Sequence, residues 1–336
     1  MFIGDCVCAP VFETFQTARR HGNAMTTIHI KDIAWIFVCQ SGRLEREACV
    51  LAASLRRNLG PEANLIAAVP LPESVMGTLT PSVTHFLESQ GVALRSFSNP
   101  TVEPGRELTS ELLMNKAFAL KVEPDASVVV FLDSDQICHS LMDLNNLLVP
   151  LVARRAFYPG AKATQGVWER AYEICDTQMP AQRISARSRV TSDPVIVCPP
   201  FFNSGFISLH RPWVHEFVLN YADCYRRIVS HGLLGENRYY EEQMAMAIAV
   251  VKTRVPYEID IHRIDMALFH YYSVPRLASF KQFAQVVREL AEALPGLKEM
   301  LEQDIDWQSL LRGVAVNIRR PLRAESGNNE NPQTAR

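Results

Sequence analysis

Long apolar runs are missing from this chain: no stretch approaches the roughly 20 apolar residues that cross a bilayer. Membrane-spanning helices are therefore not expected. Met1 to Arg20 carries Asp5 and Glu13 and lacks a basic flank leading into an apolar core, so a secretory signal is not expected either. Cys-x-x-Cys spacing is absent among the eight cysteines, which leaves no sequence basis for a zinc site. Cys39 falls in a predicted buried strand and Cys49 on a predicted helix, where a small apolar residue fits; Cys6-x-Cys8 is the pair open to a reactive reading. Scattered thiols of this kind suit a reducing, cytoplasmic setting. Charge of one sign is not in excess. A net charge of −2 over 336 residues argues against a nucleic-acid partner or an anionic-membrane surface, so any phosphate binding must be local. No internal repeat is present. With 48% apolar and 21% charged residues the chain is an ordinary globular protein, long enough for one large α/β domain or two medium ones.

The most informative segment is Val128-Val129-Val130-Phe131-Leu132-Asp133-Ser134-Asp135. Five apolar residues rich in Val and Phe predict a fully buried strand. Side chains at i and i+2 share a face, so Asp133 and Asp135 project together from the strand's carboxyl end. Open α/β sheets bind ligands in the crevice there. Two hard oxygen ligands suit Mg²⁺ or Mn²⁺ holding a phosphate-bearing substrate.

Strand and helix patterns alternate before this point. Strands are expected at 33–39, 64–69 and 92–97; helices from about 43 to Leu59, around 81–90 and from about Ser110 to Lys121. Alternation of this kind implies a mixed, mainly parallel sheet flanked by helices, with right-handed crossovers, in a single large Rossmann-like domain. The expected organisation is an irregular lead-in at 1–30, a nucleotide-binding half at 31–140, a second half of the same domain at 141–280, a helical segment at 281–323 and a disordered tail at 324–336. In the second half, 165–179 reads as helix, 204–209 as strand, 212–230 and 239–252 as helices and 256–262 as a short strand. A final amphipathic helix from about 280 is interrupted at Pro295-Gly296. Residues 141–200 are otherwise less regular. Arg183, Arg187 and Arg189 mark a basic loop, either solvated or touching phosphate or acceptor; Trp168 and Tyr172 either belong to the core or stack on a sugar.

Three later segments add to the paired aspartates. Asn203-Ser204-Gly205 opens an apolar strand and offers an amide, a hydroxyl and a bare backbone, though alone it reads as a turn. Glu241-Glu242-Gln243 begins an apolar helix, where acids either complement the macrodipole or face an acceptor. His270, bounded by Phe269 and Tyr271, either makes structural hydrogen bonds or adds an imidazole to a metal site.

Together, Asp-Ser-Asp, Asn-Ser-Gly, Glu-Glu-Gln and Phe-His-Tyr resemble a nucleotide-sugar glycosyltransferase of the GT-A fold. Order and spacing are most similar to glycosyltransferase family 8, which includes glycogenin and the bacterial lipopolysaccharide galactosyltransferases. The resemblance covers roughly residues 31–276. It implies Mn²⁺ (or Mg²⁺) held by Asp133, Asp135 and His270 against the diphosphate of a nucleotide-sugar donor, with uridine the usual base. It places Asn203 and Gly205 at the donor sugar, Glu242 and Gln243 at the sugar's reacting face, and Ser41, Asn115, Lys116 and Ser134 around the rest of the donor. Two departures stand out. Relatives follow the histidine with Gly and a phosphate-gripping Lys-Pro, whereas the nearest cations here are Arg276 and Lys281. Glu242 also replaces the Asp of relatives, which lengthens the arm by one carbon.

The implied reaction is hexosyl transfer, with the cation stabilising the leaving diphosphate and nearby oxygens stabilising an oxocarbenium-like carbon. Retention follows from the resemblance, yet Glu241 or Glu242 would also serve an inverting enzyme as general base, so stereochemistry stays open. The acceptor is open too: glycan, lipid-linked glycan, protein or small molecule. Peripheral membrane contact through Arg319-Arg320-Pro321-Leu322-Arg323 is conceivable. Rival readings are a haloacid-dehalogenase-type phosphohydrolase, which also places Asp-x-Asp after a strand and for which Asp260 and Asp265 imitate later acids, and a catalytically silent GT-A binding module. A nucleotidyltransferase would want a glycine-rich basic loop after the first strand, which Gln40-Ser41-Gly42-Arg43 matches poorly.

Overall fold

A computed structural model describes residues 28–102, 111–123, 125–156, 164–185, 197–234, 238–259 and 267–313. The expectations for 1–27, for Arg187 and Arg189, for Asp260 and Asp265, for Arg319–Arg323 and for the tail lie outside these residues. The chain divides between His270 and Tyr271 into two units.

The first unit carries β1 (Ile33–Val38), α1 (Arg43–Leu59), β2 (Asn64–Leu71), α2 (Glu73–Met76), α3 (Pro81–Ser89), β3 (Ala93–Ser98), α4 (Asn115–Ala119), β4 (Val128–Leu132), β5 (Gln136–Cys138) and β6 (Leu151–Arg155). There follow α5 (Gln165–Ile174), β7 (Ile184–Ser185), β8 (Val197–Cys198), β9 (Phe202–His210), α6 (Arg211–His231), α7 (Arg238–Thr253), β10 (Tyr257–Glu258) and β11 (Leu268–His270). Seven strands form one sheet in the order β3-β2-β1-β4-β9-β6-β10. All neighbours pair in parallel except around β9, which runs antiparallel to both β4 and β6. The mixed, mainly parallel α/β class is the one the alternation predicts.

Every residue of β1 and β4 is buried, as central strands covered on both faces require. The order reverses at β1: β2 lies on one side and β4 on the other, so a crevice opens between the carboxyl ends of β1 and β4. Arg56 closes the opposite end of α1, its guanidinium donating to the carbonyls of Gly60, Pro61 and Ala63 and, beside the end of α3, of Gln90 and Gly91. The six described cysteines are buried and free. Burial pushes the Cys39 thiol up to about 12, with Glu45 adding to the effect, so it serves as a small core residue. Trp168 and Tyr172 are core as well: Trp168 is 1% exposed and meets Phe201 edge-on at 5.2 Å, which removes the sugar-stacking alternative.

Several elements differ from the sequence reading. The helix expected from Ser110 to Lys121 is a 3₁₀ turn at Glu111–Met114 running into the five residues of α4. The helix expected to reach Met179 stops at Ile174, because Asp176 takes a left-handed φ of 50° and the Thr177 N–H returns to the Tyr172 carbonyl. Asn203-Ser204-Gly205 lies within β9, not in a turn. Strands β5, β6 and β11 were not foreseen: they are short, and Arg154 and Arg155 break the apolar pattern of β6.

The second unit contains helices Val274–Ser279, Lys281–Ala293, Pro295–Leu301 and Ile305–Leu311. Pro295 starts a new helix, as its missing N–H and fixed φ favour. Tyr271 and Trp307 meet edge-to-face at 6.3 Å in its interior. No described helix is long and apolar enough to cross a membrane.

Phe37 is fully buried between the partners Ala67 on β2 and Leu132 on β4. Phe37→Ala should destabilise the first unit by roughly 3–5 kcal/mol, read as a fall in its urea midpoint.

Candidate metal and donor site

β4 ends at Leu132, and the Asp133 N–H then donates to the Gly205 carbonyl at 2.9 Å. This bond depends on an irregularity in β9. Ala153 of β6 pairs with Ile207, but the next residue, Arg154, pairs with Asn203, so Ser204, Gly205 and Phe206 are passed over on the β6 side. A bulge of this kind re-aims side chains and bends the strand. Asn203 steadies it by accepting the Gly205 N–H at 2.9 Å.

Past the aspartates the chain turns back as β5, which pairs antiparallel with β11 so that Gln136 stands opposite His270. The pairing carries His270 to the aspartates: its Nε2 lies 2.9 Å from Asp135 Oδ1 and 3.9 Å from Asp133 Oδ2. One ligand atom from each of Asp133, Asp135 and His270 falls within 4.8 Å of the others. The Asp135 carboxyl is partly buried, which raises its pKa, yet the hydrogen bond and charge of His270, with Arg43 and Lys116, outweigh this and hold it below the ordinary range.

Gly205 is required by closeness. A methyl group there would stand 2.7 Å from Asp133 Oδ2, 2.9 Å from Asn203 Oδ1 and 3.0 Å from His270 Cε1. Behind it, Gln136 donates to the Gly205 carbonyl and accepts from Arg154 Nη1 at 3.2 Å, while Arg154 Nη2 donates to the Leu268 carbonyl at 3.1 Å. The Arg154–Gln136 pair therefore ties β6, β9, β5 and β11 together beneath His270. Sequence reasoning missed both, since neither belongs to a motif.

Lys116 occupies the centre of a second buried network. Its Nζ donates to Ser204 Oγ at 3.1 Å and lies 3.4 Å from Asp133 Oδ1 and 3.9 Å from Glu242 Oε2. Ser204 Oγ donates to Glu242 Oε2 at 2.9 Å, and the Tyr221 hydroxyl donates to Glu242 Oε1. Glu242 is thus fully buried, and burial pushes it up to about 7 despite Lys116 and Ser204. This geometry makes Glu242 a group that holds Lys116 and Ser204 in place. Gln243 is 1% exposed on the same helix, and Glu241 accepts the Leu234 N–H at 2.9 Å.

Of the remaining predicted residues, Asn115 and Ser134 line the cleft and Ser41 does not. Asn115 accepts from Asn99 at 2.8 Å and donates to Gln40 Oε1 at 3.2 Å, linking the ends of β1 and β3. Ser134 donates to the Val38 carbonyl, fastening the Asp-Ser-Asp turn to β1. Ser41 packs against Gly77, where a Cβ would lie 2.6 Å from Ser41 Cβ. A cleft of about 250 Å³ lies between these parts. Val38, Leu44, Leu112, Leu113 and Phe131 supply apolar lining; Gln40, Arg43, Asn115, Lys116, Asp133, Ser134 and Asp135 supply polar groups. Among the polar lining groups, Gln40 and Arg43 were not assigned to the site from the sequence. Arg43 Nη1 donates to Glu47 Oε1 at 2.7 Å, and Glu47 is fully buried, pushed up to about 8 chiefly by burial. Their i, i+4 spacing on α1 was the signal available in the sequence.

Fold and site together define an α/β protein with an acidic cleft at the carboxyl edge of its sheet and an imidazole beside the cleft's aspartates. The chain belongs to a glycosyltransferase family: the model of the Rhodobacterales glycosyltransferase domain matches residues 35–254, more than half of the sequence. That span contains every residue of the networks above except Leu268 and His270. A search of curated proteins gives no match.

Two outcomes follow from this packing. Gly205→Ala must displace Asp133, Asn203 or His270, and should cost roughly 1–3 kcal/mol of stability in thermal unfolding. For Glu242, a folded pKa raised from 4.5 to about 7 means that the native state binds the extra proton between those values. Its contribution to stability is complete below 4.5 and is lost as pH rises through about 7. Urea unfolding across this range should therefore show wild type losing stability relative to Glu242→Gln as pH rises.

Proposed function

We propose that this glycosyltransferase moves a hexose from a nucleoside diphosphate sugar, a UDP-sugar first among them, to an acceptor hydroxyl, with Mn²⁺ at Asp133, Asp135 and His270. The observation that carries the reading is the approach of two carboxylates and one imidazole to within 4.8 Å of one another, beside a cleft with both apolar and cationic lining. This donor set fits a divalent ion. Carboxylates alone would suit Mg²⁺, and the added imidazole favours Mn²⁺. When bound, the ion would act as a Lewis acid on the charge that develops on the leaving diphosphate.

The chain's own residues do the rest. The apolar lining, Leu112, Leu113 and Val38 foremost, offers a surface for the nucleobase, and Asn115 and Gln40 supply orienting polar groups. Lys116 holds its charge at Asp133, where phosphate oxygens approach the metal site. Asn203 and Gly205 bring backbone and amide near the donor sugar. Glu242, with Tyr221, sets Lys116 and Ser204 without itself reaching the sugar. Gln243 remains the group proposed for the sugar's reacting face. We assign the GT-A fold and family 8 likeness on the same motifs, and with them retention of configuration. A glycan, a lipid-linked glycan, a protein or a small molecule would serve as acceptor. Family membership and the Asp-Asp-His cluster favour this over a phosphohydrolase.

The test is release of nucleoside diphosphate from a panel of UDP- and GDP-sugars, with Mn²⁺ or with chelator. Wild type should turn over one donor only with metal. Asp135→Ala and His270→Ala should each reduce turnover by roughly 100-fold or more, through loss of metal and its charge stabilisation. Metal binding without turnover of any donor would instead mark a silent binding module. Metal-independent cleavage of simple phosphomonoesters would mark a phosphohydrolase.

A further inference from the structure

Two cations line the cleft, and they are not equivalent. Lys116 is buried and already engaged: it lies 3.1 Å from Ser204 Oγ, 3.4 Å from Asp133 and 3.9 Å from Glu242. Its ammonium is held in place by these side-chain oxygens within the protein. Arg43 is the reverse case. Its side chain is 58% exposed, it is the first residue of α1, and its one hydrogen bond among the described residues goes through Nη1 to Glu47.

A guanidinium offers five N–H groups in a planar fork that matches phosphate oxygens. One group is spent on Glu47, and the others are open to a ligand at the cleft mouth. Glu47 is fully buried four residues along the same helix, so the anchor is rigid even though the arginine is exposed. Arg43 lines the same cleft as Asp133 and Asp135, the proposed metal ligands. Of the cations named after the histidine, Arg276 lies over its neighbour Tyr272, 4.6 Å from the ring centroid.

We propose that Arg43, anchored by the buried Glu47, binds the diphosphate of the donor at the mouth of the cleft. The inference rests on the reading of the chain as a nucleoside diphosphate sugar transferase. Arg43 is the donor-binding residue and Glu47 its positioning residue. The role is open to Arg more than to Lys, because one fork must hold Glu47 and phosphate at once.

Calorimetric titration of UDP, GDP and the matching nucleosides, each with Mn²⁺, tests this on the full chain. Against the diphosphate that wild type binds, Arg43→Ala should weaken affinity by roughly 10- to 100-fold, the size of a charge-assisted contact. Affinity for the nucleoside should stay within about two-fold, since no phosphate is present. Arg43→Lys should recover part of the loss. Glu47→Ala should weaken diphosphate binding by less than Arg43→Ala, and Glu47→Gln, which keeps an acceptor oxygen, should recover most of that. Unchanged diphosphate binding by Arg43→Ala would overturn the inference while leaving the donor reading intact. Equal losses for diphosphate and nucleoside would overturn it too, by showing that Arg43 acts on the base or the local fold. Unchanged binding by Glu47→Ala would remove Glu47's part. If wild type binds neither diphosphate, the donor reading falls and takes the inference with it.

Discussion

The site depends on one backbone contact, the Asp133 N–H donating to the Gly205 carbonyl at 2.9 Å. It fastens the carboxyl end of a central parallel strand to a bulged antiparallel one, and it brings Asp133 against a residue with no side chain. The space a Cβ would fill is occupied by an Asp133 oxygen, the Asn203 amide oxygen and the edge of the His270 ring. A glycine in a strand weakens it and packs poorly. Here that cost is offset, because Gln136 donates to the same carbonyl and Arg154 holds Gln136. Remove the close approach and Asp133, Lys116 through Ser204, and His270 lose their common reference point.

Charge is arranged around that contact in layers. Asp133, Asp135 and His270 lie outermost; Lys116 and Ser204 lie beneath; Glu242 and Tyr221 lie deepest. Burying such groups does not stabilise a fold in itself, since desolvation of each ion rivals the attraction it gains. The upward push on Glu242 and on Glu47 is the mark of that cost. What the arrangement provides is position. Lys116 is held by several oxygens and Arg43 by one, so the first is fixed within the protein and the second is left to meet a ligand. A site prepared for a charged leaving group gains from such fixed charges, because little reorganisation remains at the moment of reaction.

Much of this was legible in the residues, for reasons that can be stated. Val128 to Leu132 reads as a buried strand and is one. The expected i, i+2 alternation does not operate at the aspartates, because Asp133 and Asp135 lie in the turn past the strand, and it is this turn that brings both to His270. The mainly parallel sheet followed from the alternation of strand and helix patterns before it. Asn115, Lys116 and Ser134 were placed by resemblance, and the structure brings Asn115, Lys116 and Ser134 to the cleft lining. Less visible were features that depend on pairing over long separations. The register of β5 against β11 decides that His270 reaches the aspartates, and no local pattern encodes it. The bulge in β9 turns Asn-Ser-Gly from an apparent turn into the interior of a strand. Glu242 reads either as an acid complementing the helix macrodipole or as one facing an acceptor, and neither reading contains the buried contacts that Tyr221 and Ser204 make with it. Arg154 and Gln136 belong to no motif, and their roles appear only once the sheet is assembled, whereas Glu47 was signalled by its i, i+4 spacing from Arg43 alone.

The central claim is that Asp133, Asp135 and His270 form one divalent-metal centre serving a nucleoside diphosphate. Anomalous diffraction at the manganese edge, from crystals grown with Mn²⁺ and UDP, tests it most directly. The account predicts a single strong peak bonded to all three side chains and to the diphosphate oxygens, lost in Asp135→Ala. Diphosphate bound in the cleft with no manganese at these residues, or manganese bound elsewhere, would contradict it.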